Sequence, residues 1–214
     1  LGSPHRAMSF CVPTGNFGDI FAGWGAKQMG LPVDRLIVAT NANDILARTL
    51  ETGRYERAPM NKTTSPSMDI QVSSNFERLL FDCGGRDGAA MAEQMRGFEA
   101  DKAMRLTNAQ REGASSLFAS ARCEPDEMTQ AIRWAHEHCG QILDPHTAIG
   151  LHAARAAQHD PATPIVTLAT AHPAKFRDAA ERATGMRPAL PSRVGDLFGR
   201  EEEFAELSDD YDTV

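Results

Sequence analysis

The stretch MSFCVPTGNFGDIFAGWGAKQMGLPVDRLIVAT, residues 8–40, decides the fold. Met8 to Val12 is a short apolar run closed by Pro13-Thr14-Gly15, and helix formers then extend from Asp19 to Met29 until Gly30-Leu31-Pro32 stops them. Arg35 to Thr40 is a second, continuous apolar run, the pattern of a strand covered on both faces. Residues 8–40 therefore read as one β-α-β unit, which implies two parallel strands joined by a right-handed crossover.

Outward from that unit, Asn43 can cap a helix that runs through Leu50 and ends at Gly53. Another helix starts near Asn75, because Phe76, Leu79, Leu80 and Cys83 repeat at helical spacing. The hydroxyl-rich stretch Thr63 to Asp69 between them is a loop. Residues 86–126 carry weak helical patterns and are expected to form peripheral helices. Asp126 can cap a helix with Met128, Ala131, Ile132, Ala135 and Cys139 on one face and Gly140 at its end. Thr147 to Ala157 is a small-residue helix behind Asp144-Pro145-His146, and Ile165 to Ala169 is a second buried-strand run, followed by a helix from Pro173 to Gly185. Strands alternating with helices predict an open, mostly parallel α/β sheet with helices on both faces. Ligands in such sheets sit beyond the carboxyl ends of the strands, so two strand-to-helix turns carry the chemistry.

The composition narrows the function classes. Seven acids follow Arg200 with no base among them, and the first 200 residues are neutral, so residues 1–200 are expected to form the domain and 201–214 an acidic tail. No basic stripe suits a nucleic-acid partner. No apolar run approaches a membrane span, and the N-terminus lacks an export pattern. The scattered Cys11, Cys83, Cys123 and Cys139 match neither a zinc motif nor a compact disulfide framework, and a reducing cytoplasm fits them best. The chain starts at Leu1, with a strand almost at once, and is expected to be a piece of something longer.

The first turn, Pro13 to Asp19, holds Gly15 and Gly18 immediately before a helix, a backbone cradle suited to an anion. It lacks the Gly-Lys-Ser/Thr ending of a nucleoside-triphosphate loop and the three glycines of a dinucleotide fingerprint, which leaves a single terminal phosphate. Asp19 would repel that phosphate and is expected to turn away. A tight turn shaped by glycine explains the same residues equally well. The second turn, Ala169 to Phe176, gathers Thr170, His172 and Lys175, which serve either as site groups or as turn and surface residues. Ser65, Ser67 and Asp69 could bind a phosphate or carboxylate or simply build a turn, and Asp144 to Thr147 is a helix cap or a wall of the site. No nucleophile elbow and no metal-ligand spacing stands out.

Five segments together resemble threonine synthases: FCVPTGNFGD at 10–19, IVATNAND at 37–44, SPSMDIQVSSNFERLLF at 65–81, DPHTAIG at 144–150 and LATAHPAKF at 168–176. The resemblance spans most of the chain, and residues 86–126 and the tail add little to it. It implies an enzyme of the tryptophan-synthase-like fold that uses pyridoxal 5'-phosphate to convert O-phospho-L-homoserine and water to L-threonine and phosphate. It also implies that Gly15, Asn16, Phe17 and Gly18 hold the cofactor phosphate, that Thr170 faces the pyridine nitrogen, and that Ser65, Ser67, Asp69, His146 and Lys175 line the substrate side. The family's Schiff-base lysine lies in an upstream Phe-Lys-Asp segment, a context that none of Lys27, Lys62, Lys102 and Lys175 has. The chain is thus expected to be the C-terminal part of such an enzyme, inactive without its N-terminal half. The alternatives are another pyridoxal-phosphate lyase or dehydratase of this fold, or a non-catalytic phosphometabolite-binding module.

Overall fold

The computed structural model describes residues 5–157 and 160–213. In chain order the regular elements are β1 (Met8–Pro13), α1 (Gly18–Gln28), β2 (Val33–Thr40), α2 (Ile45–Thr52), β3 (Arg54–Glu56), α3 (Phe76–Cys83), α4 (Gly88–Asp101), β4 (Ala103–Arg105), α5 (Asn108–Ser115), β5 (Phe118–Arg122), α6 (Pro125–Cys139), α7 (Pro145–Ala156), β6 (Ile165–Thr167) and α8 (Arg177–Thr184), with short 3-10 turns at Pro66–Met68 and Pro173–Phe176. The main sheet has the order β5-β2-β1-β6, and every pair in it is parallel. β3 and β4 form a separate antiparallel pair.

The period-2 alternation of the two central strands feeds two cores. Val12, Leu36 and Val38 face a large-residue layer with Phe17, Ile20, Leu46, Phe76, Leu79 and Leu80. Cys11, Ile37 and Ala39 face a second layer with Ile132, Ala148, Ile149 and Ala153 from α6 and α7. Apolar residues on both faces explain why β1 and β2 read as unbroken apolar runs. The second layer is built of small residues because α7 lies close to the sheet. A Cβ on Gly150 would stand 3.0 Å from Thr167 and 3.1 Å from Pro13, and the Cys11 thiol donates to the Gly150 carbonyl at 3.1 Å.

Four details depart from the sequence expectation. Residues 86–126 are not only helical: they supply β4 and also β5, the outer strand beside β2. β6 is a three-residue edge strand and only half-buried, not a deeply buried one, since among the described residues it pairs with β1 alone. The cap positions fall on Asp44 rather than Asn43 and on Glu124 rather than Asp126, and Glu124 forms a reciprocal capping box with Glu127. Cys139 is exposed rather than on the buried face of α6.

An aromatic chain ties the first core together. Phe17 meets Phe76 edge-on at 5.1 Å between ring centres and Phe118 at 5.6 Å. Tyr55 continues the chain to Phe76 and Phe98 at 5.3 and 4.8 Å. Such pairs add to the burial of their area. Phe76→Ala is expected to lower the unfolding free energy by about 3–5 kcal/mol, whereas Phe81→Ala, on the outer side of the same helix, costs under about 1 kcal/mol; urea unfolding of both variants checks the contrast.

Candidate functional site

The cradle is built where β1 ends. Phe17 occupies the N-cap position of α1 with φ of +66°, a left-handed conformation that a bulky side chain adopts at a cost of about 1–2 kcal/mol. Its ring is 1 % exposed within the aromatic core, and that burial outweighs the cost. Its side chain therefore cannot reach a ligand, and only its backbone faces the turn. Among the described residues, the N–H groups of Asn16, Phe17, Gly18 and Asp19 donate to no protein acceptor. They sit at the start of an 11-residue helix, which adds its favourable dipole for an anion. Asp19 is exposed and does not cap these donors.

The carbonyl side of the same turn is held from below. The Ser73 hydroxyl donates to the Gly15 carbonyl at 2.8 Å, and the Asn75 backbone N–H and side-chain amide both donate to the Asn16 carbonyl, at 3.1 and 2.8 Å. With its carbonyls occupied, the turn leaves its N–H groups for something else. Gly15 is required by contact: a Cβ there would lie 2.5 Å from the Ser67 carbonyl oxygen. Thus the Ser65-to-Asp69 loop lies directly against the cradle.

That loop is pinned to the end of β2 by a polar knot. The Asn41 side-chain amide donates to the Thr63 and Ser65 hydroxyls and to Asp69, at 3.0, 2.9 and 2.8 Å. Asp69 also accepts from the Asn43 amide at 3.0 Å, from the Thr63 backbone N–H at 2.7 Å and from the Thr63 hydroxyl at 2.7 Å. Asp69 is thereby occupied in holding the loop, and Ser65 is buried within the knot. Ser67 is exposed beside the cradle. Sequence reading took Asn43 only as a helix cap and gave Asn41 no site role, although short polar side chains immediately beyond a buried parallel strand were a usable signal.

The second group of residues forms where β6 ends. Asp144 caps α7, and its Oδ1 accepts from the His146 backbone N–H and from His146 Nδ1, each at 2.9 Å. Its Oδ2 accepts the Thr147 hydroxyl, and the Thr147 oxygen in turn accepts the Thr170 backbone N–H at 3.2 Å. The His146 ring packs on Phe176 at 4.8 Å, and its Nε2 is buried without a hydrogen-bond partner among the described residues. Thr170 and Lys175 are exposed. His172 caps the following turn by accepting the Ala174 N–H at 3.1 Å, so it fixes the turn. Because β6 lies beside β1, with Thr167 opposite Cys11, the cradle and the Thr170 turn share one edge of the sheet on adjacent strands.

Farther along that edge, beyond β2 and β5, a cavity of about 310 Å³ is lined by Asn41, Lys62, Thr63, Ser65, Cys123 and Met128, among others. Cys123, Glu127 and His152 bring donor atoms within 4.8 Å of one another at this end, a grouping that linear spacing did not reveal. Burial, joined by the nearby Glu127 and Glu124, pushes the Cys123 thiol up to about 12, so it is held as a neutral thiol.

The parallel sheet, its helices on both faces and the polar turns along its carboxyl edge define an open α/β domain, and its structural neighbours are fold-type II pyridoxal-phosphate enzymes. Residues 147–214 match the family model described as "Threonine synthase, C-terminal". A threonine synthase of Pseudomonas aeruginosa is 49 % identical over 215 residues, an alignment that covers 100 % of this chain and 46 % of that protein. The crystal structure of pyridoxal-phosphate-bound threonine synthase from Brucella melitensis superposes with a TM-score of 0.91 at 51 % identity, over 95 % of this chain and 44 % of that one. The yeast threonine synthase structure gives 0.84 at 37 % identity, over 92 % and 43 %. The chain is thus similar over its whole length to threonine synthases, and it spans about half the length of the relatives it matches. Among the described residues no helix is long and apolar enough to cross a membrane.

Gly15→Ala forces two backbones apart and is expected to destabilise by about 1–3 kcal/mol, whereas Gly18→Ala, whose Cβ would meet only the Asn75 side-chain amide at 3.4 Å, costs less; thermal melts of the two variants order them. For Asp144, burial alone would raise the carboxyl, but hydrogen bonds from the His146 and Thr147 side chains and the His146 backbone outweigh it and hold it below the ordinary carboxylate range. A depressed folded-state value means stabilisation that is complete above the unfolded value of about 3.9 and lost as pH falls through the folded one. The stability gap between the parent and Asp144→Asn should therefore be widest near neutrality and close in acid, as urea titrations across pH will show.

Proposed function

We propose that this chain is the C-terminal part of a threonine synthase, with residues 1–200 contributing to the cofactor-binding domain and 201–214 forming an acidic tail. Pyridoxal 5'-phosphate is its cofactor, and the reaction converts O-phospho-L-homoserine and water to L-threonine and phosphate. The observation that carries this reading is the row of unpaired N–H groups from Asn16 to Asp19, aimed from a turn whose carbonyls are already bonded. Such a row fits a phosphate monoester and requires no lysine. When bound, the cofactor would supply the electron sink for eliminating phosphate and adding water.

In this reading the backbone of Gly15, Asn16, Phe17 and Gly18 binds the cofactor phosphate, and the Thr170 hydroxyl faces the pyridine nitrogen. A neutral hydroxyl does not hold a proton on the ring as a carboxylate would, so it orients the ring without charging it. The substrate side is formed by Ser65, Ser67, Asp69, His146 and Lys175. Their roles differ. Ser67 and Lys175 are exposed. Ser65 and Asp69 shape the loop from inside the knot. The buried, unpartnered His146 Nε2 supports contact with a group outside this chain.

The covalent lysine comes from sequence outside this chain. Lys27 donates to the Val33 carbonyl at 2.5 Å, and Lys102 lies at the end of α4, so neither stands at the cradle. The missing N-terminal half is the partner that completes the site. The four unpaired cysteines support a reducing, cytoplasmic setting.

The test compares the complete protein and this chain, each supplied with pyridoxal phosphate and O-phospho-L-homoserine, by measuring threonine and phosphate release. The complete protein is expected to form both in equal amounts and the chain alone neither. Turnover by the chain alone, or a complete protein that ignores phosphohomoserine and deaminates another hydroxyamino acid, overturns the reading.

A further inference from the structure

Thr170 sits between the end of β6 and the turn that His172 caps. The ladder between β1 and β6 ends where the Leu168 N–H meets the Cys11 carbonyl at 3.0 Å, and two residues later the Thr170 N–H finds the Thr147 hydroxyl. Thr147 is buried in the first turn of α7, and the Asp144 carboxylate it faces is 1 % exposed. A carboxylate only accepts, so the single Thr147 hydroxyl proton is committed to Asp144 Oδ2. The lone pairs on the Thr147 oxygen are then left for a donor, and the Thr170 N–H is that donor. The chain of bonds has one direction, from Thr170 N–H to Thr147 to Asp144, and its last link is charge-assisted.

We infer that Asp144 and Thr147 are positioning residues for the ring wall of the site: the carboxylate orients the Thr147 hydroxyl, which fixes the Thr170 backbone and so presents the Thr170 hydroxyl. The inference rests on the proposed role of Thr170 toward the pyridine nitrogen. It assigns to a helix cap, more than twenty residues away in sequence, the task of holding a side chain on the turn that follows β6.

The experiment uses the complete protein with Thr147→Val, Thr147→Ser, Asp144→Asn and Thr170→Val. Two quantities are read in each: hydrogen exchange at the Thr170 amide without cofactor, and pyridoxal-phosphate affinity with its visible circular dichroism. Loss of one hydrogen bond corresponds to about a three- to tenfold change. Thr147→Val is expected to speed exchange at Thr170 and weaken cofactor binding by about that factor, with an altered dichroic band, and Thr147→Ser is expected to restore all three. Unchanged Thr170 exchange and unchanged cofactor binding in Thr147→Val overturn the inference. Should that variant fail to fold, Asp144→Asn decides on the same readouts, since its amide donates to Thr147 and reverses the last link. Thr170→Val separates the two layers of argument. If it leaves the cofactor band and affinity untouched, the role assigned to Thr170 falls; if it moves them while Thr147→Val does not, only the positioning inference falls.

Discussion

The site depends on one residue that never touches it through its side chain. Phe17 carries a left-handed backbone and a fully buried ring in the same residue. The ring is held by Phe76 and Phe118, and that grip keeps the peptide planes on either side of it in an orientation an isolated chain would rarely visit. The free N–H groups of the cradle are a result. A glycine could adopt the same angle, but it would leave the turn untethered to the core.

Around that anchor the remaining parts are braces. Ser73 and Asn75, at the entry to α3, occupy the carbonyls of the turn, and Phe76 follows directly to pack on Phe17. One short segment thus supplies both the polar brace and the aromatic one. The Asn41–Asp69 knot plays the same part for the neighbouring loop, and its members satisfy one another, as a partly buried polar network must. On the opposite face of the sheet the close approach of α7 at Gly150 sets where Asp144 and Thr147 lie relative to the end of β6.

What the sequence made legible followed burial. β1 and β2 declared themselves because both their faces are covered, α1 because a run of helix formers ends at Gly30-Leu31-Pro32, and α3 because its apolar spacing is regular. β5 did not: Phe118-Ala119-Ser120-Ala121-Arg122 has one large buried side chain, and the rest are small or polar because the strand lies at the rim. Ile165 to Ala169 misled in the other direction, since an apolar run at a sheet edge looks the same as one at its centre. The backbone cradle was readable from Gly15 and Gly18. The part Phe17 plays through its ring was not, because a positive φ at an aromatic residue leaves no mark in composition or spacing. The knot around Asp69 was hidden for a related reason: Asn41, Asn43 and Thr63 each look like ordinary turn residues until folding brings them to one carboxylate.

β6 has consequences that reach beyond the site. It lends one rim to β1, and among the described residues no strand pairs with the other, a row of amide and carbonyl groups of the kind that recruits further strands. Three half-buried residues with Pro164 at their start make this a short edge, continuous with the central ladder. The turn bearing Thr170 leaves from the end of the same edge. That turn therefore takes its direction from a strand which, among the described residues, is anchored on one side, and the bond from the Thr170 N–H to Thr147 supplies a second tether.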